Sequence, residues 1–277
     1  MPDLHGLAAP LAGQAKLPRR FEPPLWSTRI LVAAFVLFFL WSLSSAGLSL
    51  SDLIRGLPNM ATIGGEMLPP ATDRAGPMAK AILLTFQMAL VGTVIGILLS
   101  VPLALLAARN TSPHGVVLHA TRALISFFRT VPDLAWALFF VASVGLGTFA
   151  GTLTIVVDTI GFCARFFAEA LEEVDPGPSE ALASIGASPV DRIAVVLMPG
   201  AMPSLINTSL FSLEKAVRSS VVLGLVGAGG IGAELAVSME MFRYDQAATI
   251  VLMIFALVFL VEQFSSRMRL RLMGPTG

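Results

Sequence analysis

AILLTFQMALVGTVIGILLSVPLALLAA, residues 81–108, contains no charged side chain, and its only interruptions are Gln87 and Pro102. A helix rises about 1.5 Å per residue, so roughly 20 apolar residues cross a hydrocarbon core of about 30 Å. This stretch is long enough to span a bilayer. Working outward, Ile30–Ser51 is likewise uncharged, and Thr130–Leu146 and Phe149–Ala168 meet at a Gly145-Leu146-Gly147 turn that predicts a tight helical hairpin. Gly200–Ala233 is apolar apart from Glu214, Lys215 and Arg218, which leaves room for one span and a Gly-rich return, and Gln246–Phe264 completes a set of six. The expected fold is therefore all-α and polytopic, with six transmembrane helices.

Composition agrees. Hydrophobic residues make up 55% of the chain and charged residues 13%, against about 25% charged in soluble domains. Mean hydropathy is +0.81. Eighteen basic and eighteen acidic residues cancel, so net charge gives no reason to expect a nucleic-acid partner. Cys163 is the single cysteine, and His5, His114 and His119 are scattered without a ligand-like spacing. Neither a disulfide within the chain nor a metal site is expected, and no cofactor is implied. No G-x-x-x-x-G-K-[ST] loop occurs, so ATP is not expected to bind here through a P-loop.

Basic residues in short segments favour the cytoplasm. Lys16, Arg19, Arg20 and Arg29 precede the first span, and Arg267, Arg269 and Arg271 follow the last. Both ends therefore read as cytoplasmic, which an even number of spans requires, and the same count places Arg109, Arg122 and Arg129 in an inside loop. Ser44-Ser45-Ala46 resembles a cleavage site, but the polar leader and the apolar run are long, so an uncleaved anchor is expected. The resulting organisation is a cytoplasmic segment 1–29, a first helix 30–51, an external and partly irregular loop 52–80, a core 81–266 with five spans, and a basic cytoplasmic tail 267–277.

Leu171–Pro199 is the most polar internal stretch, with Glu172, Glu173, Asp175, Glu180, Asp191 and Arg192. Pro176 and Pro178 break the preceding helix, Ser179 reads as an N-cap, and Glu180–Ile185 reads as a short helix that Gly186 ends. Here Glu180-Ala181-Leu182, then Gly186 after three residues, then Val196-Leu197-Met198-Pro199 after nine more, resemble the E-A-A-x3-G-x9-I-x-L-P loop of ABC importer permeases. Leu182, Val196 and Met198 depart from the pattern with apolar replacements. The resemblance implies that loop 172–199 docks on a cytoplasmic ATPase, with Glu180, Ala181, Leu182, Gly186 and Pro199 as its coupling residues.

Further stretches are similar to the phosphonate permeases of that class: Thr85–Ala89, Arg129–Asp133, Phe167–Ala170 and, longest, Arg218–Gly232. The likeness implies a type I importer fold, import of phosphonate or a related oxyanion such as phosphite or phosphate, ATPase subunits, an extracytoplasmic solute-binding protein and a second permease copy, forming a homodimer in the inner membrane. Independently, charges at a helix centre cost about 2.5–3.5 kcal/mol each when lipid-facing, so Glu214, Lys215 and Arg218 must face protein or water. Two readings stand. Glu214 and Arg218, four residues apart, form a structural pair while Lys215 snorkels, or Arg218 and Lys215, with Ser219 and Ser220, line an anion path. Asp158 is expected to pack against a polar neighbour, and Arg165 to snorkel.

Gly227-Ala228-Gly229-Gly230-Ile231-Gly232 fits G-x-G-x-x-G, with Asp245 beyond it, but a dinucleotide site needs a βαβ unit that this sequence lacks. Gly227, Gly229, Gly230 and Gly232 read instead as turn or gate glycines. A membrane enzyme using Asp158, Glu169 or Glu214, and a proton-coupled carrier, are rival classes. Neither needs an ATPase-docking helix, so the chain reads as a transport subunit and not an enzyme.

Overall fold

A computed structural model describes residues 26–47 and 49–273, and every element among them is helical. The leader cations Lys16, Arg19 and Arg20, together with His5, lie outside the described residues. The chain divides into two units at Met60 and Ala61.

In the first unit, α1 (Trp26–Ser45) is apolar all round and buries no residue, the pattern of a helix solvated by lipid. α2 runs Leu50–Glu66. Its apolar residues Leu50, Leu53, Ile54 and Leu57 recur at helical spacing, and Ser49 Oγ accepts the Asp52 amide at 3.2 Å. The segment 52–80, expected as a partly irregular loop, is therefore largely helical, with Met67–Arg74 irregular.

The second unit is built on α3 (Ala75–Ala107) and α6 (Thr148–Glu172). Gly92 and Gly96, four residues apart, lie on one face of α3. A Cβ on Gly92 would come within 2.7 Å of Ile155 Cγ2, and one on Gly96 within 2.5 Å of Thr159 Cβ. Small residues at this spacing let two helix backbones approach, which is how helices associate where lipid removes the hydrophobic drive. Alanines continue the same theme toward Glu172, where Ala104, Ala107, Ala164 and Ala168 pack around Phe167 and Leu171.

α4 (Gly115–Thr130) and α5 (Asp133–Val144) meet at a bend of 87°. Pro132 lacks an amide hydrogen and pushes the preceding residue out of the helical region, and Val131 is extended at φ −75°, ψ 122°. The expected span Thr130–Leu146 thus does not stand alone: α5 has 12 residues, about 18 Å. Among the described residues, five helices are long and apolar enough to cross a membrane, or six if this bent pair counts as one span. Arg122 and Arg129, expected in a loop, sit on α4.

α7 (Pro176–Ser184) follows α6, and α8 (Pro189–Arg192) opens a helix that continues through Ile193–Leu197 into α9 (Met198–Leu223). The second half of the expected loop 172–199 is therefore the first turns of a long helix. Around Ile193–Leu197 the winding loosens so that the Met198 amide reaches Ile193 O, just before Pro199, which has no amide to donate. After a glycine-rich bend, α10 (Ile231–Glu240) turns back and α11 (Tyr244–Met273) closes the bundle.

Candidate functional site

Two regions carry chemistry, at the root and at the middle of the long helix. At the root, α7 starts earlier than expected: the cap is Asp175, whose carboxylate accepts the Gly177 amide at 2.9 Å, with Pro176 in the first turn. Ser179 is inside the helix. The other end matches the expectation for Gly186, which has φ +85°. The Ala187 amide donates to Leu182 O and the Gly186 amide to Ala183 O, both at 3.1 Å, the paired bonds of a glycine-terminated helix. Nothing lies within 4 Å of a Cβ built on Gly186, so conformation and not space demands glycine there.

Two residues on, Ser188 and Asp191 exchange capping bonds: Ser188 Oγ accepts the Asp191 amide at 3.2 Å and Asp191 Oδ2 accepts the Ser188 amide at 3.1 Å. α7 and α8 thus form a short, doubly capped knuckle. It buries no residue, and Ile185 and Val190 are 80% and 71% exposed. Both are apolar side chains held outward on a rigid polar element. Glu180 and Ala181 share this exposed face, Leu182 is partly covered, and Pro199 is exposed on the helix beyond.

At the middle of α9, the expected Glu214–Arg218 pair does not form. Glu214, buried, pairs with Arg269 of α11 and not with Arg218. Lys215 does not snorkel: its Nζ lies 2.7 Å from Asp158 Oδ1 on α6 and 5.2 Å above the Phe162 ring. Asp158 therefore packs against a polar partner, as expected. Arg165 pairs with Glu169 at 2.6 Å, one helical turn on. Ser220 is buried and donates to Val217 O at 2.7 Å, so its hydroxyl is spent within the helix. Ser219 is partly buried. Arg218 is exposed and has no ion-pair or hydrogen-bond partner among the described residues.

Phe211, Lys215, Arg218, Val222 and Leu225 recur at helical spacing, so they form one stripe along α9 and the turn after it. Phe211, Arg218, Val222 and Leu225 are exposed and Lys215 partly so. The chain's own core leaves this cationic stripe uncovered.

The expected glycine return is present at the end of α9 remote from α7. Gly227, Gly229 and Gly230 all have positive φ, of +96°, +76° and +75°. Gly232 is constrained by space: a Cβ there would collide with Val221 O and approach Gly224 Cα at 2.9 Å. The bend is locked to the α5–α6 turn by the Gly147 amide donating to Gly227 O at 2.9 Å, and to α3 by the Ile231 amide donating to Thr85 Oγ1 at 2.8 Å. No strand flanks it among the described residues, so the dinucleotide-like glycine spacing has no βαβ setting. That Arg269 meets Glu214 and that Lys215 is the polar neighbour of Asp158, together with the Gly92–Gly96 seam, are what sequence reading missed. The seam had a signal, small residues four apart in an apolar run; the ion-pair partners had none.

Residues 96–269 match the family described as binding-protein-dependent transport system inner membrane component. The chain belongs to this family. It is 38% identical over 222 residues to the phosphite transport system permease protein of Stutzerimonas stutzeri, covering 80% of this chain and 81% of that protein. It is also 39% identical over 249 residues to the phosphate-import permease protein of Mycolicibacterium smegmatis, covering 87% of this chain and 44% of that protein. Among solved structures, a methionine ABC transporter in an inward-facing conformation aligns with a TM-score of 0.61 and 25% identity, over 69% of this chain and 94% of that chain. The protein is thus a multi-pass inner-membrane permease subunit with the type I importer fold and not an enzyme. Family membership implies ATPase subunits, a solute-binding protein and a paired permease.

Proposed function

We propose that this permease carries a phosphorus oxyanion (phosphonate, phosphite or phosphate) inward between the α9 stripes of two identical copies, driven by a cytoplasmic ATPase docked on α7. The observation that carries this reading is the cationic stripe. Arg218 has no ion-pair or hydrogen-bond partner among the described residues, and Lys215, paired with Asp158, stands beside it on a face that the chain leaves open. A guanidinium is costly in lipid and well matched to a tetrahedral oxyanion, so a water-filled path gives it both solvent and ligand. The names of the two relatives, phosphite and phosphate permeases, point to the same ligand class.

In this reading α7 and α8, with Glu180, Ala181, Leu182, Gly186 and Pro199, fit a groove on the ATPase, and the unbroken helix from Pro189 to Leu223 delivers its movement to Lys215 and Arg218. A lever needs a stiff arm and a fixed elbow; the capped knuckle and the positive-φ Gly186 have those properties. Gly227, Gly229, Gly230 and Gly232 then lie on the outer side, at the gate, and both termini are cytoplasmic.

The test is reconstitution with the ATPase and binding protein in proteoliposomes, reading ATP hydrolysis with phosphonate, phosphite, phosphate and an unrelated amino acid. Stimulation by at least one phosphorus oxyanion is expected. Stimulation by the amino acid alone would move the substrate to another small solute, and solute uptake without any ATPase would favour an ion-coupled carrier.

A further inference from the structure

A second cationic site lies away from α9. Where α3, α4 and α6 meet beside the start of α7, a cavity of about 210 Å³ is lined by Arg109, Arg122, Arg129 and Arg165, and by Glu169 and Glu172. Two of the four guanidiniums are neutralised. Arg122 pairs with Glu172 and also donates through Nε to Ala107 O at 2.8 Å, while Arg165 pairs with Glu169. Arg129 lies 5.9 Å over the Phe166 ring, and neither Arg129 nor Arg109 has a carboxylate partner among the described residues. The lining therefore carries two positive charges in excess.

The structure holds those charges in place. Gly161 on α6 lets α4 approach so closely that an added Cβ would meet the Arg129 amide nitrogen at 3.0 Å. The Arg109 amide donates to Glu172 Oε1 at 2.7 Å, and Asn110 Nδ2 donates to Leu171 O at 2.6 Å. The anchored backbones place these excess cations, both exposed, around one space. At about 30 Å³ per water, that space has room for a tetrahedral oxyanion and several waters. Like charges lining one cavity repel, and an anion relieves the repulsion.

We propose that this cavity binds a phosphate group, through Arg109 and Arg129 with support from the two paired arginines, at the root of the coupling element. The group arrives either on an anionic lipid headgroup or as free phosphate. The inference does not rest on the transported substrate: an oxyanion held on the α9 stripe would survive Arg109→Gln/Arg129→Gln, and only binding lost in that variant counts toward this cavity.

Two arms distinguish the sources. In phosphatidylcholine nanodiscs, saturation binding of radiolabelled orthophosphate is measured; from phosphatidylcholine–phosphatidylglycerol mixtures, the phosphatidylglycerol retained per chain is counted by native mass spectrometry. One anion per chain is expected in at least one arm, and the doubly substituted Arg109→Gln/Arg129→Gln chain should lose it by about tenfold or more. Retention of the lipid alone assigns the headgroup, and orthophosphate binding alone assigns the free ion. Ser126→Trp, which fills the cavity while keeping every arginine, guards against a variant that misfolds and should also abolish binding. A folded wild-type chain that binds neither probe, or a Trp variant that binds as wild type does, overturns the proposal.

Discussion

The knuckle at α7–α8 and the charged middle of α9 lie on one continuous path of chain, yet they are held in opposite ways. The bonds that cap the knuckle join residues two to five positions apart, as in Asp175 with Gly177 or Leu182 with Ala187. The bonds that hold the middle join residues 55 and 57 positions apart, Glu214 with Arg269 and Lys215 with Asp158. A locally capped element keeps its shape wherever it is carried, which suits a part that moves as a body against a partner. An element tied to distant helices keeps its shape only while those helices stay put, which suits a part whose state depends on the arrangement of the bundle.

Four tests probe that contrast. The largest effect is expected at Arg218, a cation of the α9 stripe with no ion-pair partner among the described residues. Arg218→Ala should lower reconstituted oxyanion uptake by about 100-fold, as loss of a charge contact of about 3 kcal/mol implies, while assembly with the ATPase stays intact. Uptake at the wild-type rate would remove Arg218 from the path.

Next is the tie between α6 and α9. Asp158→Leu strands Lys215 without its counter-charge, and an uncompensated buried charge costs about 3–5 kcal/mol. Lys215 is 35% exposed, so about 2 kcal/mol is the fitting expectation for lost stability in a thermal or denaturant melt. The double variant Asp158→Leu/Lys215→Leu should recover most of it. If the double variant is worse than the single one, the pair is not what Asp158 contributes.

In the knuckle, the effect should depend on conformation and not on bulk. Gly186→Val forces a β-branched residue to positive φ, a strain on the order of 1–3 kcal/mol, and should cut substrate-stimulated ATP hydrolysis about tenfold. Gly186→Asn, which tolerates that conformation, should stay close to wild type. Equal activity of the two variants would mean that the turn geometry is immaterial to coupling. The smallest effect belongs to the cap itself. Asp175→Ala removes one bond, worth about 1 kcal/mol, and should shift the coupling midpoint only severalfold, without touching the stability of the α3–α6 seam measured by unfolding.

The same contrast explains what could be read in advance. The Gly186 turn, the short helix before it and the Gly-rich return at Gly227–Gly232 were legible because their causes are local: a positive φ, a missing Cβ, a missing amide. The spans were legible because lipid imposes a length and forbids unpaired backbone over that length. The bent pair α4–α5 was misread because hydropathy runs on through Pro132 while backbone geometry does not. Ser179 lost the cap to Asp175 because two prolines allow the helix to begin earlier than the last of them.

From its residues alone this chain was bound to be helical and membrane-spanning, with a polar knuckle between two of its helices, since a bilayer leaves few ways to satisfy a backbone and short-range caps need no help from elsewhere. Which ions meet, that Arg218 finds no partner among the described residues, and that four arginines line one cavity were decided only when the helices packed. Charge acts through space, and the distance that matters to it is set by glycine and alanine contacts made far away along the chain.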